Sequence, residues 1–131
     1  MTNTMDKPAI FIAVPTAASD LPVTLKPLLN GIEEEAIPVQ TKVIAEDDVT
    51  MRAYQAALAS RLSVGIGFDD QHVVVHYKNL HAEQPLFTVT RDSADRLRRL
   101  GANAARLVKG VPFKTLDEVV RKDGRKWISR N

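Results

Sequence analysis

Six consecutive apolar residues, Ala9-Ile10-Phe11-Ile12-Ala13-Val14, closed by Pro15, constrain this chain more than any other feature. A strand with one wet face alternates apolar and polar residues. An unbroken run of this length instead predicts a strand buried on both faces. Such strands lie inside sheets covered by helices on either side. The run is too short for the apolar core of a leader and far too short to cross a bilayer. The expectation is a soluble, cytoplasmic protein without membrane contact.

The rest of the chain supplies the other layers. Leu25, Leu28, Leu29, Ile32 and Ala36 recur at helical spacing, predicting a helix from about Pro22 or Val23 to Glu35. Pro27 allows a start as late as Lys26, and Pro38 forbids continuation. Val39 to Ile44 alternates as a half-exposed strand. Glu46-Asp47-Asp48 offers N-cap chemistry for an Ala-rich helix over Thr50 to Ser60. Val64–Phe68 and Val73–Tyr77 read as a hairpin around Asp69-Asp70, and Leu86–Thr90 as a further strand. Asp92 or Ser93 caps a last helix that runs to about Lys109 and stops at Gly110. The order β-α-β-α-β-β-β-α predicts a three-layer α/β/α fold, with a mixed, mostly parallel sheet of about five strands. Beyond Phe113 the pattern weakens. Leu116 to Val120 is compatible with one helical turn, and the remainder reads as a mobile tail. The expected division is one domain over 1–116 and a basic tail over 117–131.

Several chemistries drop out. The chain has no cysteine, which excludes disulfides, thiolate metal sites and thiol nucleophiles. Gly65-Ile66-Gly67 lies inside a predicted strand and not between a strand and a helix, so it is no dinucleotide loop; close backbone packing explains it better. No phosphate-binding lysine motif occurs, so the chain is not expected to hydrolyse ATP alone. His72 and His76, four apart on a strand, stand roughly 13 Å from each other, too far to share one metal.

Charge is unevenly placed. Met1 to Thr90 carries 6 Lys+Arg against 11 Asp+Glu, and Arg91 to Asn131 carries 12 against 5. A basic end fits nucleic acid or an acidic protein partner. It holds no aromatic stacking strip, which favours protein docking over nucleic acid. Glu33-Glu34-Glu35 ends a helix where the macrodipole is already negative, and a cation or a basic partner would relieve the strain. With the apolar face centred on Leu25, Ile32 and Ala36, Glu34 is expected to point away from the domain, flanked by Glu33 and Glu35. In the last helix Ala94, Leu97, Gly101, Ala104 and Val108 form the expected inner face. Arg99 and Arg106 straddle Ala102 on the outer face as a candidate docking ridge.

Three segments carry a family resemblance. Gly31-Ile32-Glu33-Glu34-Glu35-Ala36-Ile37-Pro38 is similar to a G-I-E-E-E-G-[IV]-P segment of the small subunits of diol and glycerol dehydratase reactivases. Val75-His76-Tyr77-Lys78-Asn79-Leu80 followed by Pro85-Leu86-Phe87-Thr88 resembles their V-H-Y-K-N-L and P-L-F-T. Asn103 to Phe113 resembles N-A-A-R-L-V-K-G-[IV]-P-F. Ala36 stands where the family has glycine, Leu100-Gly101-Ala102 where it has T-G-N, and the basic tail from Arg121 has no counterpart.

The resemblance implies an α/β/α fold like that of the dehydratase medium subunit, and a non-catalytic role beside a large ATPase subunit in an α2β2 assembly. ATP and ADP would belong to that large subunit. The client would be an adenosylcobalamin-dependent diol or glycerol dehydratase, bound transiently, from which damaged cobalamin is released by subunit displacement. This chain alone would hold no cobalamin. The middle glutamate, Glu34, would complete a Mg2+ site at the interface with the large subunit, with Glu33, Glu35, Arg99 and Arg106 at the same interface. Association with a bacterial microcompartment would fit. The alternatives are a structural subunit of the dehydratase and a basic-tailed nucleic-acid-binding domain.

Overall fold

The computed structural model describes residues 7–17 and 20–116, and the backbone of 118–120 and 126–128. β1 (Ile10–Val14) lies at the interior of a five-stranded sheet of order β2-β1-β3-β4-β5, formed with β2 (Val39–Val43), β3 (Val64–Phe68), β4 (His72–Tyr77) and β5 (Phe87–Thr90). All five residues of β1 are buried. Ile10, Ile12 and Val14 face a core shared with α1 (Lys26–Glu34) and α3 (Ala94–Lys109), while Phe11 and Ala13 meet Ala56 of α2 (Val49–Ala59). The unbroken apolar run thus serves two helical layers.

β1 pairs in parallel with β2 and β3, whereas β3–β4 and β4–β5 are antiparallel. The sheet is mixed and mostly parallel in strand direction, as expected: β1, β2, β3 and β5 run one way, and β4 runs against them. Each helical crossover produces one parallel neighbour, and only two crossovers occur before the chain turns to hairpins.

Local signals account for the helix ends. A 3-10 turn, Val23–Leu25, leads into α1, with Pro27 in its first turn. Asp48 caps α2 by accepting from the Met51 N–H at 2.9 Å. Ser93 caps α3 through the Arg96 N–H, and Gly110 closes it with φ 71°. Ala36 also takes a left-handed conformation, φ 62°, just after α1. Glycine is the natural residue there, which gives a physical reason for its use at this position in the resembling segments. Ala36→Gly is therefore expected to stabilise the domain by about 1 kcal/mol, read as a rise in the urea midpoint at unchanged slope.

Gly65 and Gly67 do serve close packing. A Cβ on Gly65 would stand 2.2 Å from the Ala57 nitrogen, so the α2 backbone rests directly on β3. Arg52 of α2 is buried and donates to the carbonyls of Phe68, Glu46 and Asp47, tying the end of β3 to the loop before α2. His76 is a core residue. Its Nδ1 accepts from the Tyr77 N–H at 2.9 Å, which places the ring proton on Nε2, 2.9 Å from the Ala82 carbonyl.

The helical turn expected over Leu116–Val120 is not formed. Glu118–Val120 is a strand, β6, paired antiparallel with β7 (Lys126–Ile128). The β-branched Val119, Val120 and Ile128 favour that outcome. The mobile tail expected beyond falls on residues 117, 121–125 and 129–131, which lie outside the described residues.

Candidate functional site

The site is built where α1 crosses α3. Gly31 and Gly101 meet the opposing helices at backbone distance: a Cβ on Gly31 would stand 2.0 Å from the Arg98 carbonyl oxygen, and one on Gly101 would stand 2.1 Å from that of Leu28. This reciprocal contact brings side chains one turn beyond Gly31 onto α3. Glu34 accepts from Arg98 with both oxygens, from Nε at 3.1 Å and from Nη2. Glu35 accepts from Lys109 Nζ at 2.7 Å and from Arg106 Nε at 3.2 Å. The Arg98 and Lys109 hydrogen bonds hold the carboxyl groups of Glu34 and Glu35 below the ordinary range. Glu33 is exposed.

The sequence expectation for Glu34 is corrected here. It does not face away from the domain. It leans toward α3 and remains 39% exposed at the rim of the crossing. The acidic helix end finds its cationic relief inside the chain, from Arg98, Arg106 and Lys109. The apolar pattern misplaced Glu34 because Gly31, which has no hydrophobic side chain to register, lies on the face that touches α3.

The docking ridge is also corrected. Ala102 is fully buried. Arg99 and Arg106 instead hold the segment after α3 as a strap folded back along the helix. Arg99 pairs with Asp95 at 3.0 Å and donates to the Thr115 carbonyl at 3.1 Å, and Arg106 donates to the Pro112 carbonyl at 3.0 Å. Between them Asn103, fully buried, donates to the Lys114 carbonyl at 2.8 Å and accepts from the Lys114 N–H at 2.6 Å. Phe113 sets its ring edge-on to Phe87 of β5, 5.3 Å between centroids. α3 and the strap thus form one clamp, in which Arg99, Asn103 and Arg106 each grip backbone groups of the strap. Sequence reasoning missed Asn103; a polar residue in an otherwise Ala-rich inner face was the available signal.

A groove of about 720 Å³ opens beside the crossing, lined by Pro27, Asn30, Glu33 and Glu34 of α1 and by Asp95 and Arg98 of α3. Among the described residues, no three His, Asp or Glu side chains converge as a metal site. Glu34 can supply one carboxylate ligand at the groove's rim, with Glu33 alongside. A cation held there would need its remaining ligands from water or another chain.

Glu35 links the site to pH. Its carboxyl titrates lower in the folded state than its unfolded value of about 4.3, so its ion pairs contribute stability above that pH. That contribution is lost as pH falls through the folded value. Glu35→Gln should lower stability at pH 7 and flatten its pH dependence below about pH 4.5, read by urea titrations across pH.

With this geometry in place, the comparisons with known proteins are specific. The family model for the dehydratase medium subunit matches residues 7–114. The propanediol dehydratase-reactivating factor small subunit of Citrobacter freundii is 44% identical over 115 residues, covering 87% of this chain and 97% of that protein. The diol dehydratase-reactivating factor small subunit of Klebsiella michiganensis is 44% identical over 118 residues, 89% and 92% of the two chains. A solved diol dehydratase-reactivating factor complexed with ADP and Mg2+ contains a chain 45% identical, at a TM-score of 0.74 over 82% of this chain and 98% of its own length. A chain of a glycerol dehydratase reactivase aligns at 0.77 with 32% identity, over 85% of this chain and 100% of its own. The dehydratase medium subunit family therefore contains this fold. Within it the chain belongs with the small subunits of diol and glycerol dehydratase-reactivating factors.

Proposed function

We propose that this chain is the non-catalytic subunit of an ATP-dependent reactivase. It pairs with a large ATPase subunit in an α2β2 assembly and acts transiently on an adenosylcobalamin-dependent diol or glycerol dehydratase. One observation carries the reading. A chain similar over nearly its whole length to reactivating-factor small subunits also matches the dehydratase medium subunit model over residues 7–114. Two subunits of one fold can compete for one surface. Displacement of a dehydratase subunit opens the enzyme and releases damaged cobalamin. Nucleotide is bound and hydrolysed by the large subunit, and no cobalamin is held by this chain alone.

The folded unit is 1–116, and the basic tail is an appendage to it. Glu34 supplies one ligand to a Mg2+ ion at the interface with the large subunit, and Glu33 and Glu35 shape the same acidic rim. A magnesium ion held there would supply positive charge beside the Glu34 carboxylate, with its other ligands from water or the large subunit. Arg99 and Arg106 act at that interface through the strap they hold. The protein works in the bacterial cytoplasm, with or without a microcompartment shell, and binds neither membrane nor nucleic acid.

The test is association of the purified chain with the large subunit, followed by size-exclusion chromatography with Mg2+ and with chelator. Co-elution at micromolar concentration, weakened roughly ten-fold or more by Glu34→Gln, supports the reading, since loss of a charged bridge costs at least about 1.4 kcal/mol. Separate elution overturns it. Cobalamin retained by a complex of this chain would point to a dehydratase subunit instead, and strongly salt-dependent DNA binding to a nucleic-acid module.

A further inference from the structure

We propose that Arg98 is a built-in stand-in for the interface cation, occupying the Glu34 carboxylate in the free subunit and setting how much Mg2+ is needed to displace it. The inference rests on the metal role given to Glu34 above.

Both Glu34 oxygens are taken by the Arg98 fork, from Nε and from Nη2, across 64 residues of sequence. A fork of this kind matches a carboxylate in two places and satisfies the lone pairs that a hard cation would use. A divalent ion seated on the same oxygens would lie against the guanidinium and repel it. Cation and Arg98 therefore exclude one another.

Arg98 is suited to leaving. Its side chain is 57% exposed, and the acidic Asp95 lines the same groove. The Gly31–Arg98 backbone contact fixes where the arginine starts, and beyond it the side chain borders solvent. The free subunit thus keeps an acidic helix end neutralised and soluble, and surrenders the carboxylate only when metal and partner arrive together.

The test measures the Mg2+ concentration at half-maximal complex formation with the large subunit, for the wild-type chain, Arg98→Met, Arg98→Lys, Glu34→Gln and the Arg98→Met/Glu34→Gln double variant. Arg98→Met should lower the Mg2+ requirement about two- to five-fold, the scale of one exposed ion pair. Arg98→Lys, which keeps charge but loses the fork, should fall between. Binding in chelator should stay unchanged, and Glu34→Gln should abolish the Mg2+ dependence and silence the arginine substitution. An unchanged or higher Mg2+ requirement in Arg98→Met overturns the proposal. Equal weakening with and without Mg2+ overturns it as well, because Arg98 would then be an ordinary contact. If Glu34→Gln keeps the full Mg2+ dependence, the metal reading falls and this inference falls with it. Loss of the Mg2+ dependence in Glu34→Gln, with no response to Arg98→Met, sinks this inference alone.

Discussion

Gly31→Ala is expected to destabilise the domain by about 3 kcal/mol, at the upper end of overpacking penalties, and to lower Tm by roughly 10 °C. The added methyl would stand 2.0 Å from the Arg98 carbonyl oxygen and 2.9 Å from the Ala102 nitrogen. Both are backbone atoms, so no rotamer change can make room. Helices α1 and α3 would have to separate along their whole contact. Gly101→Ala meets the Leu28 carbonyl oxygen at 2.1 Å and should behave alike. The separation also shifts the end of α1 that carries Glu34, so the proposed interface ligand is displaced and weaker binding to the large subunit should accompany the lost stability. Urea unfolding followed by circular dichroism reads the first effect. A change under about 0.5 kcal/mol, the size of an ordinary surface substitution, would mean that the helices do not cross at backbone contact.

Asn103→Ala should cost about 2–4 kcal/mol, because it leaves the Lys114 N–H and C=O without their partner beside a buried wall. Asn103 copies the pairing of a neighbouring strand, donating and accepting at one residue. Arg99 and Arg106 are donors only, so they cannot replace the acceptor for the Lys114 N–H. The strap should loosen first, releasing Phe113 from Phe87. Amide hydrogen exchange at Lys114 isolates this effect: protected in the wild-type chain, it should exchange near the unprotected rate in Asn103→Ala. Retained protection would contradict the clamp. Asn103→Asp should rescue little, since a carboxylate accepts from the Lys114 N–H but repels its carbonyl.

Much of the fold was legible in the sequence. The apolar run of β1 announced a strand between two helical layers, and Asp48, Ser93 and Gly110 marked helix ends by chemistry that acts over three or four residues. The β3–β4 hairpin followed from the close succession of Val64–Phe68 and Val73–Tyr77 around the Asp69-Asp70 turn. Local rules did not extend to the helix crossing. Hydrophobic periodicity places Gly101 on the inner face correctly, but it weighs side chains, and Gly31, the other decisive residue at the crossing, has none. Glu34 therefore reads as facing outward, and Ala102, with only a methyl group to weigh, reads as an outer position although it is buried. Arg99 and Arg106 were recognised as a pair, but their partners lie in the strap, whose return along α3 no periodicity encodes. The Glu118–Val120 strand needed a partner from Lys126–Ile128, a pairing that a window over Leu116–Val120 does not contain.

Whether this chain completes a reactivating factor is read most directly by recovery of activity in a diol dehydratase holding an inactive cobalamin, incubated with the large subunit, ATP, Mg2+ and fresh adenosylcobalamin. With this chain added, activity should return, the damaged cobalamin should appear free in solution, and Glu34→Gln should slow the recovery. Recovery to the same extent without this chain, or none with it while the two subunits are shown to be associated, would contradict the account.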